Sequence, residues 1–380
     1  MNQSRHPFFV FTRKLKEHHI HRSSRNRKMI RLIYLKILLS EPFRLMERKK
    51  YKLSHTNQTI PPDNQPVFII GHWRSGTTYL HNLLSKDPGF FYQNKYENFF
   101  SDNFLTTEDY FKPILSKMMN STDPVKSWKS KTSKTMDLDS PSESDTALIS
   151  EISEFTYHWG HLFPRQWKQY FNKYLFLEDI SNQELDEWKK NMQSLLNKIY
   201  MKKSQGRLLI KNPGDTARIK HLLEIYPSAK FIFIHRNPYD VFYSNLKLWT
   251  HVIHSVSLQE ISKEEIKDIV LKVYRKLHQQ YLEQNQLLRS DQLVETSYEK
   301  MIESPINSLQ EIYQKLGLSG FQKALPFFTS YIDATLDGKI SRYRNFPDDI
   351  SKINQQWDFA FDRWKYPKMD PDALTLDVES

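Results

Sequence analysis

Short, unbroken apolar runs stand out against a chain of otherwise mixed polarity. Pro66-Val67-Phe68-Ile69-Ile70-Gly71, Arg207-Leu208-Leu209-Ile210-Lys211 and Lys230-Phe231-Ile232-Phe233-Ile234-His235 carry apolar side chains at consecutive positions. Such continuity marks strands buried on both faces, as in a parallel sheet. A polar loop, His72 to Thr78, leads from the first run into a helix with Tyr79, Leu80, Leu83 and Leu84 on its apolar side, stopped by Asp87-Pro88-Gly89. Asp215 to Tyr226 reads as a helix ended by Pro227, and Pro238 opens another running to about Trp249. Gln292 to Thr296 is a candidate fourth strand, followed by a helix from Ser304 to Leu316 that ends in Gly317. Strands alternating with helices predict an α/β fold, a parallel sheet covered by helices on both faces.

Two regions break this alternation. Residues 101–206 hold no strand pattern and many aromatics, among them Phe155, Tyr157, Trp159, Phe163, Trp167, Tyr170, Phe171 and Tyr174. They read as a helical, aromatic-rich lid inserted into the core, with Thr122 to Ser144 as a mobile loop. At the N-terminus, residues 1–28 are basic, rich in His and expected to be poorly ordered. Met29–Lys52 reads as a helix punctuated by Pro42, with Ile30, Ile33 and Ile37 on its apolar face and Leu35, Leu38 and Leu39 beside them. That face suits packing on the body, and a basic amphipathic helix on an anionic membrane is the alternative. After the polar stretch Thr56–Gln65 the division is therefore a basic, partly helical extension over 1–60 and one domain over 61–380.

Charge sharpens this division. Of the formal +11, residues 1–60 supply fifteen Lys/Arg against Glu17, Glu41 and Glu47, while the other 320 residues are near neutral. The basicity is thus local, and no nucleic-acid partner is expected from it. The chain has no cysteine, which excludes disulfides, thiolate metal sites and cysteine nucleophiles and suits a reducing compartment. It has neither an apolar stretch of membrane-spanning length nor a secretion-type leader, so the expected location is cytoplasmic, with possible peripheral membrane contact through the N-terminal segment.

The chemistry concentrates at strand ends. Gly71-His72-Trp73-Arg74-Ser75-Gly76-Thr77-Thr78 follows a strand and opens a helix, where backbone N–H groups and the helix dipole can cradle a phosphate. Its glycine spacing equals that of a P-loop, but Thr77 stands where an NTPase needs lysine, which speaks against a nucleotide kinase; Arg74 can supply the charge instead. A second cluster, His235-Arg236-Asn237-Pro238 onward to Ser244, puts an Arg at the end of a buried strand and a Ser on the next helix. The bland alternative is an ordinary strand–turn–helix corner and a surface Arg.

Together these motifs resemble the sulfotransferases that use 3′-phosphoadenosine 5′-phosphosulfate (PAPS), in the bacterial-type branch with Arg in the first loop. The resemblance runs in ordered blocks from Pro66 to Gly320, through Leu209-Ile210-Lys211-Asn212-Pro213, Thr216-Ala217-Arg218-Ile219, Tyr298-Glu299 and Leu316-Gly317-Leu318. It implies a P-loop-like fold, PAPS as sulfuryl donor, PAP (3′-phosphoadenosine 5′-phosphate) as product and no required metal. It also implies that Arg74, Ser75, Gly76, Thr77 and Thr78 bind the 5′-phosphosulfate and that Arg236 and Ser244 bind the 3′-phosphate. Tyr298 and, in the aromatic, basic stretch 340–366, Arg342 and Arg344 are further cofactor-binding candidates. In-line displacement builds charge on the bridging oxygen, which Arg74, the loop amides and Lys211 can stabilise.

Two departures stand out. The first loop has Arg74 where cytosolic animal members carry Lys. Pro213 occupies the place of those members' catalytic His, so the base comes from elsewhere. Glu97, in Tyr96-Glu97-Asn98-Phe99, is the first candidate, with His158 and His161 next. Each has a structural alternative. The partners implied are a nucleotide donor and a small-molecule hydroxyl acceptor. The aromatics of Phe155–Tyr174 favour a hydrophobic alcohol such as a sterol or lipid over a glycan. A non-enzymatic nucleic-acid- or membrane-binding role for the basic N-terminus is the remaining alternative.

Overall fold

The computed structural model describes residues 5–21, 23–51, 60–120, 137–203, 206–335 and 346–374. The three apolar runs and the candidate fourth strand form β1 (Val67–Ile70), β3 (Arg207–Lys211), β4 (Lys230–His235) and β5 (Leu293–Ser297). A further strand, β2 (Phe90–Phe91), pairs with the start of β3 at one edge. It has two residues, too short to leave a sequence pattern. All pairings are parallel, in the order β2-β3-β1-β4-β5, with Phe68 beside Ile210 on one side and Phe231 on the other. Every carboxyl end therefore opens on one edge of the sheet.

The continuous apolarity of the strands serves two cores. Phe68, Ile70, Leu208, Ile210, Phe231 and Phe233 join Leu222, Tyr274, Leu277 and Tyr281 on one face. Val67, Ile69, Leu209, Ile232, Ile234 and Val294 meet Leu80, Leu83, Leu84, Leu309, Ile312 and Phe328 on the other. Each fully buried side chain of this kind contributes about 1.5–3 kcal/mol relative to exposure.

Helices complete the layers. At the N-terminus lie α1 (Pro7–Glu17) and α2 (Ser24–Tyr51), followed after β1 by α3 (Thr77–Leu84) and α4 (Lys95–Phe99). The insertion is helical, comprising α5 (Phe104–Asn120), α6 (Ser144–Ser150), α7 (Trp159–Leu162), α8 (Trp167–Tyr174) and α9 (Asn182–Lys203). Then come α10 (Ile219–Ile225), α11 (Pro238–Val256), α12 (Lys263–Gln284), α13 (Tyr298–Glu303), α14 (Pro305–Lys315), α15 (Phe321–Thr335), α16 (Pro347–Gln356) and α17 (Asp358–Trp364).

The N-terminal segment corrects an expectation. Residues 7–17 and 24–28 are helical, and Val10, Phe11 and Ile37 are buried in the same core as the sheet. Leu35, Leu38 and Leu39, expected beside the packed face, point outward instead. Pro42 does not interrupt α2. The carbonyl it cannot bond belongs to Leu38, which is 70% exposed, so water can satisfy it. Of the loop expected over Thr122–Ser144, residues 122–136 lie outside the described residues. The remainder is pinned by the bridges Asn94–Pro141 and Glu143–Lys211.

Candidate functional site

The loop after β1 owes its shape to two glycines. Gly71 has φ 138° and Gly76 φ 103°; a Cβ on the first would lie 2.3 Å from the Ile234 carbonyl oxygen, and on the second 2.5 Å from the Tyr298 ring. The Gly71 amide donates to Thr216 Oγ1 at 2.8 Å, and Ser75 Oγ donates to the His72 carbonyl at 2.7 Å, closing the turn. Arg74, also left-handed at φ 71°, stands at the exposed crest. A non-glycine residue in that region costs of order 1 kcal/mol, and surrounding contacts must hold it there. Here Arg74 Nε donates to Ser244 Oγ at 2.7 Å, which joins the two sequence motifs directly. The amides of Gly76, Thr77 and Thr78 open α3 and make no hydrogen bond among the described residues, leaving donors at the positive end of the helix.

Neighbouring strand ends converge on this loop. Arg236, just after β4, gives one Nη2 bond to Asp240 at 3.0 Å and lies 4.5 Å over the Tyr298 ring. Its Nε is buried without a partner, a donor held ready for an acceptor. Tyr298, at the end of β5, thus touches both Gly76 and Arg236. Lys211, at the end of β3 and 4% exposed, reaches Glu143 Oε1 at 2.5 Å and Thr78 Oγ1 at 3.4 Å. Arg74, Ser75, Gly76, Thr77, Thr78, Lys211, Arg236, Ser244 and Tyr298 are therefore gathered at one edge. Arg342 and Arg344 lie outside the described residues.

Beside this edge is an apolar cavity of about 560 Å³. Trp73 from the loop, Trp249 from α11, Trp159 and Leu162 from α7, Phe11 from α1 and Ile33 from α2 form much of its wall. Its polar groups are few: Lys36, Glu143, Thr146, His158 and His161. The two histidines approach each other at 3.2 Å through Nδ1, and each leaves its Nε2 buried and unpartnered. Burial pushes both imidazoles down to about 3, with Arg218 adding to the effect on His158 and His158 to that on His161. Both rings are neutral at physiological pH. Most of the lid aromatics, including Phe155, Phe163 and Tyr170, are spent on the core rather than on the cavity.

Glu97 is held by a different set of partners. It is fully buried and forms a reciprocal cap with Asn94 at 2.8 Å in each direction. Its Oε1 pairs with Lys203 at 2.8 Å and Lys202 at 3.5 Å. Among the described residues no hydrogen bond or ion pair ties it to Arg74, Thr78 or Lys211. Sequence reasoning missed Glu143, whose link to Lys211 crosses 68 positions. It also missed Thr216 as the anchor of Gly71, and Trp73 and Trp249 as cavity walls. The block around Arg218 proves to be internal framework: Arg218 bonds Asp145 at 2.8 and 3.0 Å and Asp215 at 3.2 Å, fully buried.

Comparison with known proteins follows these features closely. The Sulfotransferase family model matches residues 66–323. The chain is 31% identical over 313 residues, 82% of its length and 78% of theirs, to proteins named omega-hydroxy-beta-dihydromenaquinone-9 sulfotransferase Stf3 from Mycobacterium bovis and Mycobacterium tuberculosis. Among solved structures, sulfotransferase STF9 from Mycobacterium avium superposes with a TM-score of 0.68 at 15% identity, covering 92% of this chain and 88% of that one. Sulfotransferase STF1 from Mycobacterium tuberculosis gives 0.62 at 18%, covering 88% of each chain. At those identities the likeness is one of fold.

Proposed function

The chain belongs to the sulfotransferase family, and from that premise we propose that it moves a sulfuryl group from PAPS to the hydroxyl of a hydrophobic, chain-like alcohol. The observation that carries the reading is the adjacency of a cation-lined phosphate loop to an apolar cavity with few polar groups. The relatives named for a hydroxylated dihydromenaquinone support the same acceptor class. The buried, unpartnered Arg236 Nε and the free amides of Gly76, Thr77 and Thr78 fit a nucleotide bearing two separate phosphate groups.

PAPS supplies the sulfuryl group, and its remainder departs as PAP. Arg236, stacked on Tyr298, takes the 3′-phosphate, with Ser244 beside it. Arg74, Ser75, Gly76, Thr77 and Thr78 hold the 5′ end, and Lys211 meets the charge developing on the bridging oxygen. The acceptor's chain lies in the cavity with its hydroxyl toward Lys211. As the acceptor oxygen bonds to sulfur and the bridging S–O bond breaks, the hydroxyl proton passes to Glu143. A protonated carboxylate is neutral, whereas a protonated His158 or His161 would be a cation in an apolar wall, the state their depressed pKa values disfavour. Of the two neutral rings, the one that accepts at Nδ1 carries its proton on Nε2, and that N–H donates to the hydroxyl oxygen and orients it.

Calorimetric titration with PAP against ATP tests the donor. PAP should bind more tightly, and Arg236→Ala should weaken it by about 10- to 150-fold, the loss of a charge-assisted bond. Preference for ATP would overturn the assignment. Labelled PAPS with sterol, long-chain alcohol, phenol and oligosaccharide acceptors tests the cavity: sulfation confined to oligosaccharides would reject the hydrophobic acceptor.

A further inference from the structure

Helix α2 is buried on one side and carries an apolar stripe on the opposite, exposed side. At 100° per residue, its inward face carries Asn26, Ile37, Arg44 and Glu47, all buried. The opposite face carries Leu32, Leu35, Leu38, Leu39, Leu45 and Met46, each between 49% and 70% exposed. A helix on a protein surface ordinarily turns polar residues to solvent opposite its buried face. This one presents an outward stripe about 21 Å long at 1.5 Å per residue. The stripe continues onto α5 through the edge contact of Phe43 with Phe111, where Phe111 and Ile114 are also exposed.

Its frame is basic. Arg27, Lys28, Arg31 and Lys49 are exposed at the two ends of the stripe, and none makes an ion pair among the described residues. The segment's acids are all engaged: Glu17 with Lys14, Glu41 with Arg44 and Glu47 with Lys198. A shallow groove lined by Ser24, Arg27, Lys28, Arg31, Leu32 and Leu35 sets cations beside aliphatic carbons, the chemistry of a lipid headgroup joined to its chain. The same helix also supplies Met29, Ile33 and Lys36 to the wall of the acceptor cavity.

We propose that the outward face of α2 docks the enzyme on an anionic lipid bilayer, so that a membrane-held alcohol passes from the bilayer beside α2 into the cavity. The delivery step rests on the hydrophobic acceptor proposed above; the docking itself does not. Charge complementarity selects a lipid surface over a protein partner, because exposed leucines bracketed by unpaired cations match headgroups and acyl chains together.

Flotation of the full chain with phosphatidylcholine vesicles, with and without phosphatidylglycerol and with no acceptor present, reads docking alone. The parent should float with the anionic vesicles and detach as salt rises. Leu35→Glu with Leu38→Glu, and separately Lys28→Glu with Arg31→Glu, should each lower the partition by at least about tenfold. Both double variants should keep the parent's PAP affinity and its turnover of a short, water-soluble alcohol, which reports that they fold. On a long-chain alcohol embedded in vesicles they should lose about the same factor as in partition. A parent that ignores vesicles, variants that float like the parent, or a parent dimer dissociated by the leucine substitutions would each overturn the proposal. Failure of PAP binding in the parent would instead fall on the donor assignment.

Discussion

Glu97 and Glu143 lie near one another along bridged stretches of chain, and their neighbours give them different chemistry. Glu97 spends its oxygens on the Asn94 cap and two lysines, with no exposure at all. Glu143 lines the cavity and, among the described residues, pairs with one cation, Lys211, which itself faces the phosphate loop. Glu143→Gln should therefore lower turnover by roughly 10²–10⁴-fold while leaving PAP affinity within about twofold. Glu97→Gln should do the reverse. It leaves Lys203 without its charge partner and should lower stability by about 1–3 kcal/mol, seen as a lower thermal midpoint, with turnover per folded molecule retained. Steady-state kinetics beside a melting curve separates the two, and a large turnover loss in Glu97→Gln at unchanged stability would restore it as the base. His161→Gln, which keeps a hydrogen-bonding group, should reduce turnover less than Glu143→Gln does.

What could be read from the sequence depended on whether its cause was local. The strands β1, β3 and β4 were legible because burial on both faces forces continuous apolarity, whereas the edge strand β5, buried only at alternate residues, leaves a weaker pattern. The loop before α3 was legible because close approaches at Gly71 and Gly76 admit no side chain. The pairing of Lys211 with Glu143 was not, since it depends on how a helical insertion folds back over the sheet. Nor was the role of α2, whose buried polar residues and exposed leucines blur the periodicity that tells inside from outside. Its place in the cavity wall gives a prediction at this scale. Ile33→Trp adds bulk where α2 meets the cavity, so it should cut kcat/KM for long-chain alcohols by about tenfold or more and spare short ones. A chain-length series of alcohols measures this, and a uniform loss across the series would mean that α2 does not border the acceptor's chain.

At the scale of the whole molecule, the fold encloses many histidines whose protonation burial opposes. His158, His161 and His235 are pushed down to about 3 and His278 to about 4 by burial, and His72 and His81 are lowered by the same cause. In the unfolded chain each returns to its ordinary value near 6.5. Their folded values are depressed, so the unfolded state binds more protons than the native one between about pH 6.5 and pH 3, and stability falls as pH falls through that window. Well inside the window each such group withdraws about 1.4 kcal/mol per pH unit. Asp215, Glu47 and Glu151, whose carboxyls burial raises, act in the opposite sense and offset part of the loss. With these six histidines, joined by His18 and His221, which burial also lowers, against three raised carboxyls, and total stabilities of about 5–15 kcal/mol, the protein should lose stability steadily below pH 6.5. His278 offers the cleanest test because it lies in the aromatic core with Tyr274 and Trp364, away from the cavity wall. His278→Gln should cost stability at pH 7.5, yet its stability should fall less steeply between pH 6.5 and 5, by close to one proton's worth of slope. Urea unfolding at several pH values measures both quantities. Parallel curves for parent and variant would show that His278 does not contribute to acid lability.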